Sequence, residues 1–167
     1  MSTDAVPRFL LEGCALDPLL DDPDLLVRIV EARRRGLIEL FSTDLTRQDL
    51  RAIPTVERRE RLLAVLDRLS PLAAGVPAVL VGSEAKRGRP TYPGNIYPVG
   101  QESGDLLDQL GLSARADARQ ALAAHWAKAV LVTDDRALIR RCLANGIQAM
   151  TTGEFAHEIN LLVEPDA

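Results

Sequence analysis

Short apolar runs alternate with longer stretches of helical periodicity along the whole chain, and this pattern constrains the fold more than any other feature. Alternation of that kind is the signature of a parallel α/β architecture, because each crossover between parallel strands needs a helix. Phe9-Leu10-Leu11 reads as a first strand. Leu25 to Arg35 reads as a helix, with Leu26, Ile29 and Val30 on one face and Gly36 as its stop. Leu37 to Phe41 is the next strand, and Ser42 or Thr43 caps a short helix through Leu45 and Leu50 to Ile53, ended by Pro54. A longer helix spans Val56 to Leu69, and Ala78 to Val81 forms a third strand. The segment from Gly82 to Gly104, with Pro90, Pro93 and Pro98, is a long loop. Ser113 caps an Ala-rich helix to Ala127, and Val130 to Thr133 is a buried strand. Arg136 to Ala144 is a helix closed by Asn145-Gly146, Ile147 to Met150 is a last strand, and Thr151 or Thr152 opens a terminal helix through Phe155. The expected result is a three-layer α/β fold, a central parallel sheet of four or five strands flanked by helices.

The 167 residues show no internal boundary, so we expect one domain over 1–167, with a core from about 8 to 155 and a tail at 161–167. A chain of this length that is 47% hydrophobic buries a core without disulfide or structural metal. No apolar run approaches the roughly 20 residues of a membrane span, and the first residues lack a basic segment followed by an apolar one, so a cytoplasmic protein is expected. Two cysteines and two histidines, none in a ligand-spaced pair, leave little for zinc. A net charge of −4 gives no global attraction for nucleic acid. A local patch does exist, since Lys86, Arg87 and Arg89 lie beside Tyr92 and Tyr97 in the long loop, which is either a solvated insertion or a flap that touches nucleic acid.

Five acids stand out by placement. Glu12 follows the first strand and Asp134-Asp135 follow a buried strand. In open α/β sheets ligands collect beyond the carboxyl ends of strands, so these acids face one crevice. Asp49, on the helix after the second strand, and Asp117, early on the Ala-rich helix, can lean over the same edge. Each aspartate has a plainer explanation too: Asp134 as a helix cap, Asp135 and Asp117 as favourable charges at helix N-termini, Asp49 as a solvated helix residue; Glu12 is harder to dismiss, because it interrupts an otherwise apolar stretch between Phe9-Leu10-Leu11 and Ala15-Leu16. Converging carboxylates repel one another, and a divalent cation relieves the repulsion. All-oxygen ligation points to Mg²⁺ or Mn²⁺, and the matching chemistry is phosphodiester hydrolysis.

From Asp117-Ala118-Arg119-Gln120-Ala121-Leu122-Ala123-Ala124 through Val130-Leu131-Val132-Thr133-Asp134-Asp135-Arg136 to Gly146-Ile147 and Glu154-Phe155, the sequence resembles the PIN-domain family. The shared pattern is an acid on an Ala-rich helix, a strand ending in Thr-x-Asp and a late Gly-Ile strand. The resemblance implies a PIN-like fold and a metal-dependent ribonuclease, of the kind that serves as toxin in toxin–antitoxin pairs. It implies catalytic roles for Glu12, Asp49, Asp117 and Asp135, with Glu12, Asp117 and Asp135 on Mg²⁺ or Mn²⁺. Thr133 and Asp134 would lie behind them and orient water and ligands, and Lys86, Arg87 and Arg89 would touch RNA if the long loop, the least typical part of the resemblance, is the nucleic-acid flap rather than a solvated insertion. A homodimer and an antitoxin partner follow from family habit, and no membrane association is expected. The family usually has Asp at the first acidic position and Glu at the second, whereas this chain carries Glu12, followed by Gly13-Cys14, and Asp49. That reciprocal exchange keeps both carboxylates, and the Glu12-Gly13-Cys14 departure supports an alternative, an inactive PIN-like module for binding or assembly.

Overall fold

The computed structural model describes residues 5–74 and 115–164. Strand β1 (Arg8–Leu11) leads through a 3₁₀ turn at Gly13–Ala15 into α1 (Leu16–Asp21) and α2 (Pro23–Arg34), followed by β2 (Glu39–Ser42), α3 (Asp44–Arg51), α4 (Val56–Leu69) and β3 (Leu72–Ala73). The second half contains α5 (Arg115–Ala127), β4 (Val130–Val132), α6 (Arg136–Ala144), β5 (Ala149–Met150) and α7 (Thr152–Val163). The expected strand at Ala78 to Val81, the 82–104 loop with Lys86, Arg87 and Arg89, and the cap at Ser113 lie outside the described residues.

The five described strands pair in parallel in the order β3-β2-β1-β4-β5. Alternation along β1 sorts the core into two layers. Phe9 and Leu11 join Leu40, Val132 and the buried faces of α1, α2, α4 and α7 on one side of the sheet. Leu10 and Leu131 join Ala118, Ala121, Leu122, Leu138 and Cys142 of α5 and α6 on the other. The three-layer α/β arrangement with a parallel sheet is therefore as expected from the alternation.

Caps explain where the helices begin. Asp22 accepts from the Leu25 backbone N–H at 2.8 Å, with Pro23 just inside α2 where a missing N–H costs nothing. Thr43 caps α3, and Thr151 and Glu154 close a reciprocal capping box on α7. Differences from expectation are local. The Leu16–Asp21 helix adds to the expected elements, and Pro18 sits in its first turn, where proline is tolerated. Strand β2 lies toward the carboxyl side of the expected segment, and α7 continues to Val163, so residues 161–163 are helical and not part of a tail. Leu162 and Val163 pack on the core, and that contact extends the helix. Among the described residues no helix is long and apolar enough to cross a membrane.

Candidate acidic site at the carboxyl edge of the sheet

Strand order fixes where the acids meet. From β1 the chain builds outward through β2 to β3, then returns to place β4 on the other flank of β1. The boundary between β1 and β4 is thus the switch point beyond whose carboxyl ends an open sheet offers its crevice. Glu12 leaves β1 and Thr133 leaves β4 side by side, with the Glu12 N–H still donating to the Val132 carbonyl at 3.2 Å. Asp117 lies in the first turn of α5 and Asp49 on α3.

Glu12 is held from two directions. Its Oε2 accepts from the Thr133 hydroxyl and, at 3.1 Å, from the Cys14 thiol. The Cys14 Sγ lies 3.3 Å from Thr133 Oγ1 and accepts from the Asp134 backbone N–H at 3.3 Å. Burial pushes the Glu12 carboxyl above its ordinary value, against the two hydrogen bonds, and the charges of Asp117 and Asp135 push it further in the same direction. Although Cys14 is exposed as a residue, its thiol turns inward, and burial pushes it up to about 11. The thiol therefore stays protonated at neutral pH, able to donate to Glu12, and is a poor nucleophile.

Asp117 is raised by burial first and then by Asp135, with Arg141 opposing and Asp49 adding to the rise. Burial also raises Asp49. Glu12, Asp117 and Asp135 thus lie within one another's fields, and Asp49 reaches them through Asp117. Sequence reasoning missed Arg141, the cation that tempers this charge. It lies on α6, and no spacing rule links it to Asp117.

The two adjacent aspartates divide their work. Asp135 is the N-cap of α6, with Oδ1 accepting from the Ala137 and Leu138 N–H groups at 2.8 and 3.0 Å. Asp134 turns away to accept from the Thr152 N–H at 2.9 Å and its hydroxyl at 3.0 Å, pinning the start of α7 to the end of β4. The capping role considered for Asp134 thus belongs to Asp135, and Asp134 contacts Thr152 rather than the other acids. Asp135→Ala should lower stability by about 1 kcal/mol, whereas Asp135→Asn should stay within a few tenths of wild type because its amide oxygen still caps. Thermal melts of the two variants check this, and equal losses would contradict the capping role.

The donor set suits a hard divalent cation: carboxylate oxygens that repel one another at a sheet edge. The arrangement as it stands is not a closed ligand cage. Among the described residues no three His, Cys, Asp or Glu side chains are grouped tightly enough to hold an ion. The candidate RNA contacts Lys86, Arg87 and Arg89 lie outside the described residues.

No protein-family model matches the chain, and no curated protein matches it. Solved structures do. The chain is similar to PAE2754 from Pyrobaculum aerophilum, with a TM-score of 0.58 at 18% identity over 92% of this chain and 96% of that one. Two further similarities have lower TM-scores. A PilT N-terminus domain protein from Sulfolobus solfataricus P2 gives 0.46 at 13% identity over 91% and 92% of the two chains. VapBC-1 from nontypeable Haemophilus influenzae gives 0.48 at 14% identity over 87% and 98%. With five parallel strands among the described residues and helices on both faces, the chain shares the α/β fold of PAE2754.

Proposed function

We propose that the protein is a ribonuclease that hydrolyses RNA phosphodiester bonds with a divalent cation, Mg²⁺ or Mn²⁺. The observation that carries this reading is the placement of Glu12 and Asp135 beyond the adjacent ends of β1 and β4, with Asp117 in the first turn of α5, at the carboxyl edge of a PIN-like sheet, where the charges of Asp117 and Asp135 help raise the Glu12 carboxyl. Glu12, Asp117 and Asp135 would hold the ion, and Asp49 would complete the acidic set. Such an ion supplies Lewis-acid chemistry, activating water and offsetting charge that develops on the phosphoryl oxygens. The chain's own groups prepare the place for it. Thr133 and Cys14 orient the Glu12 carboxylate, and the α6 cap fixes Asp135 through one oxygen. Asp134 acts from behind by tying α7 to the end of β4. Lys86, Arg87 and Arg89 would grip the RNA backbone as phosphate contacts that position without reading sequence. A toxin role would add an antitoxin that covers the acidic edge, and a homodimer in the cytoplasm.

A second reading, the inactive module for binding or assembly, is favoured by one specific observation: Glu12 Oε2 is already engaged by Thr133 and Cys14, and among the described residues no ready-made ligand group surrounds it. Incubation with single-stranded and structured RNA, with Mn²⁺ and with excess chelator, separates the two. Cleavage that needs the metal supports the nuclease. Cleavage that persists in chelator contradicts the metal dependence, and absence of both cleavage and Mn²⁺ binding leaves the module.

A further inference from the structure

We propose that Gln120 is a positioning residue that sets the spacing of the acids by tying together the three elements that carry Glu12, Asp49 and Asp117. The functional half of this inference rests on the nuclease reading. Gln120 is 1% exposed on a helix whose other buried residues, Ala118, Ala121, Leu122, Ala123 and Ala124, are all apolar. Its amide faces two buried hydroxyls, Thr43 and Thr46. The Thr43 hydroxyl donates to Gln120 Oε1 at 2.8 Å, Gln120 Nε2 donates to Thr46 Oγ1 at 3.0 Å, and the Thr46 hydroxyl donates to the Leu11 carbonyl at 3.4 Å. Thr43 Oγ1 in turn accepts from the Thr46 backbone N–H at 3.3 Å, the cap of α3.

Protons run one way through this chain, from Thr43 to Gln120 to Thr46 to the end of β1. A side chain with an acceptor and a donor on one carbon serves both hydroxyls at once, and an apolar residue serves neither. Placement links the bridge to the site. Asp117 lies one turn before Gln120 on α5, Asp49 one turn after Thr46 on α3, and Glu12 directly follows Leu11, so one amide fixes three acids relative to one another. Burial of helix α5 alone would be served as well by another apolar residue. A fully satisfied polar bridge adds a single relative position of the packed elements.

The test is amide hydrogen exchange together with Mn²⁺ titration on wild type, Gln120→Met, Thr46→Val and the double variant, each under conditions where circular dichroism shows it folded. Amides of α3 should lose protection while those of β1 and β4 keep theirs. The Mn²⁺ dissociation constant should rise about tenfold or more, as for other residues behind metal ligands. The double variant should be no worse than the weaker single one, because both cut the same chain. Unchanged α3 protection in folded Gln120→Met, unchanged Mn²⁺ affinity, or losses that multiply in the double variant would overturn the proposal. A wild type that binds no Mn²⁺ overturns the nuclease reading, and α3 exchange alone then decides the bridge. If Gln120→Met does not fold, Thr46→Val breaks the same chain and carries both readouts.

Discussion

Asp117→Asn is expected to remove Mn²⁺ binding and RNA cleavage while leaving the metal-free protein at least as stable at neutral pH. Residues behind a metal's ligands typically cost about 10–100-fold in affinity or activity, so loss of a ligand is expected at the top of that range or beyond. The stability half follows from the sign of the shift. Burial and the Asp135 charge raise the Asp117 carboxyl in the folded state. A raised acid contributes stability that is fully present below its unfolded pKa and is lost as pH rises through the folded value. At pH 7 the ionised Asp117 is therefore a cost, which Asn removes. Melts of the metal-free proteins should show the variant gaining on wild type as pH rises from about 4 to about 7. Added Mn²⁺ should reverse the order, because it stabilises only the chain that binds it. A variant that loses ground with rising pH would contradict the assignment of Asp117 to the repulsive cluster.

Phe155→Ala should be the most damaging single truncation to stability. Phe155 is fully buried on α7 and packs its ring on Phe9 of β1, centroids 4.9 Å apart and planes inclined at 59°. Truncation of such a ring costs about 3–5 kcal/mol. For a domain of this size that is a fall of roughly 6–20 °C in Tm, measurable by calorimetry. Because β1 also carries Glu12, the lesion should loosen the site from below. A loss under about 1 kcal/mol would show that α7 is not anchored through this contact.

Long elements were legible in the sequence because their periodicity is strong. Helices α4 (Val56–Leu69) and α6 (Arg136–Ala144) have the bounds that their apolar spacing and flanking residues imply. Short ones were less so. The two-residue strand β3 (Leu72–Ala73) is exposed and too brief for alternation to register, and the six residues of α1 are too few for a helical period to show. The placement of Glu12 and Asp135 beyond neighbouring strand ends was legible because strand ends in a parallel sheet share an edge, which needs only the order of elements. What decides their chemistry was not. Cys14 meets Thr133 across 119 residues and Thr43 meets Gln120 across 77, contacts that arise only from the packed topology. Cys14 belongs to the departure from the family pattern that supports the inactive module, yet its thiol supplies one of the hydrogen bonds on Glu12. Asp134 and Asp135 are chemically identical, and only the turn after β4 settles which one caps α6 and which reaches Thr152.

The most direct test of the account is calorimetric titration of Mn²⁺ into wild type and Asp117→Asn near neutral pH. The account predicts saturable binding to wild type that is lost in the variant while both remain folded. Equal binding to the two proteins, or none to wild type, would contradict a divalent-cation site built on Glu12, Asp117 and Asp135.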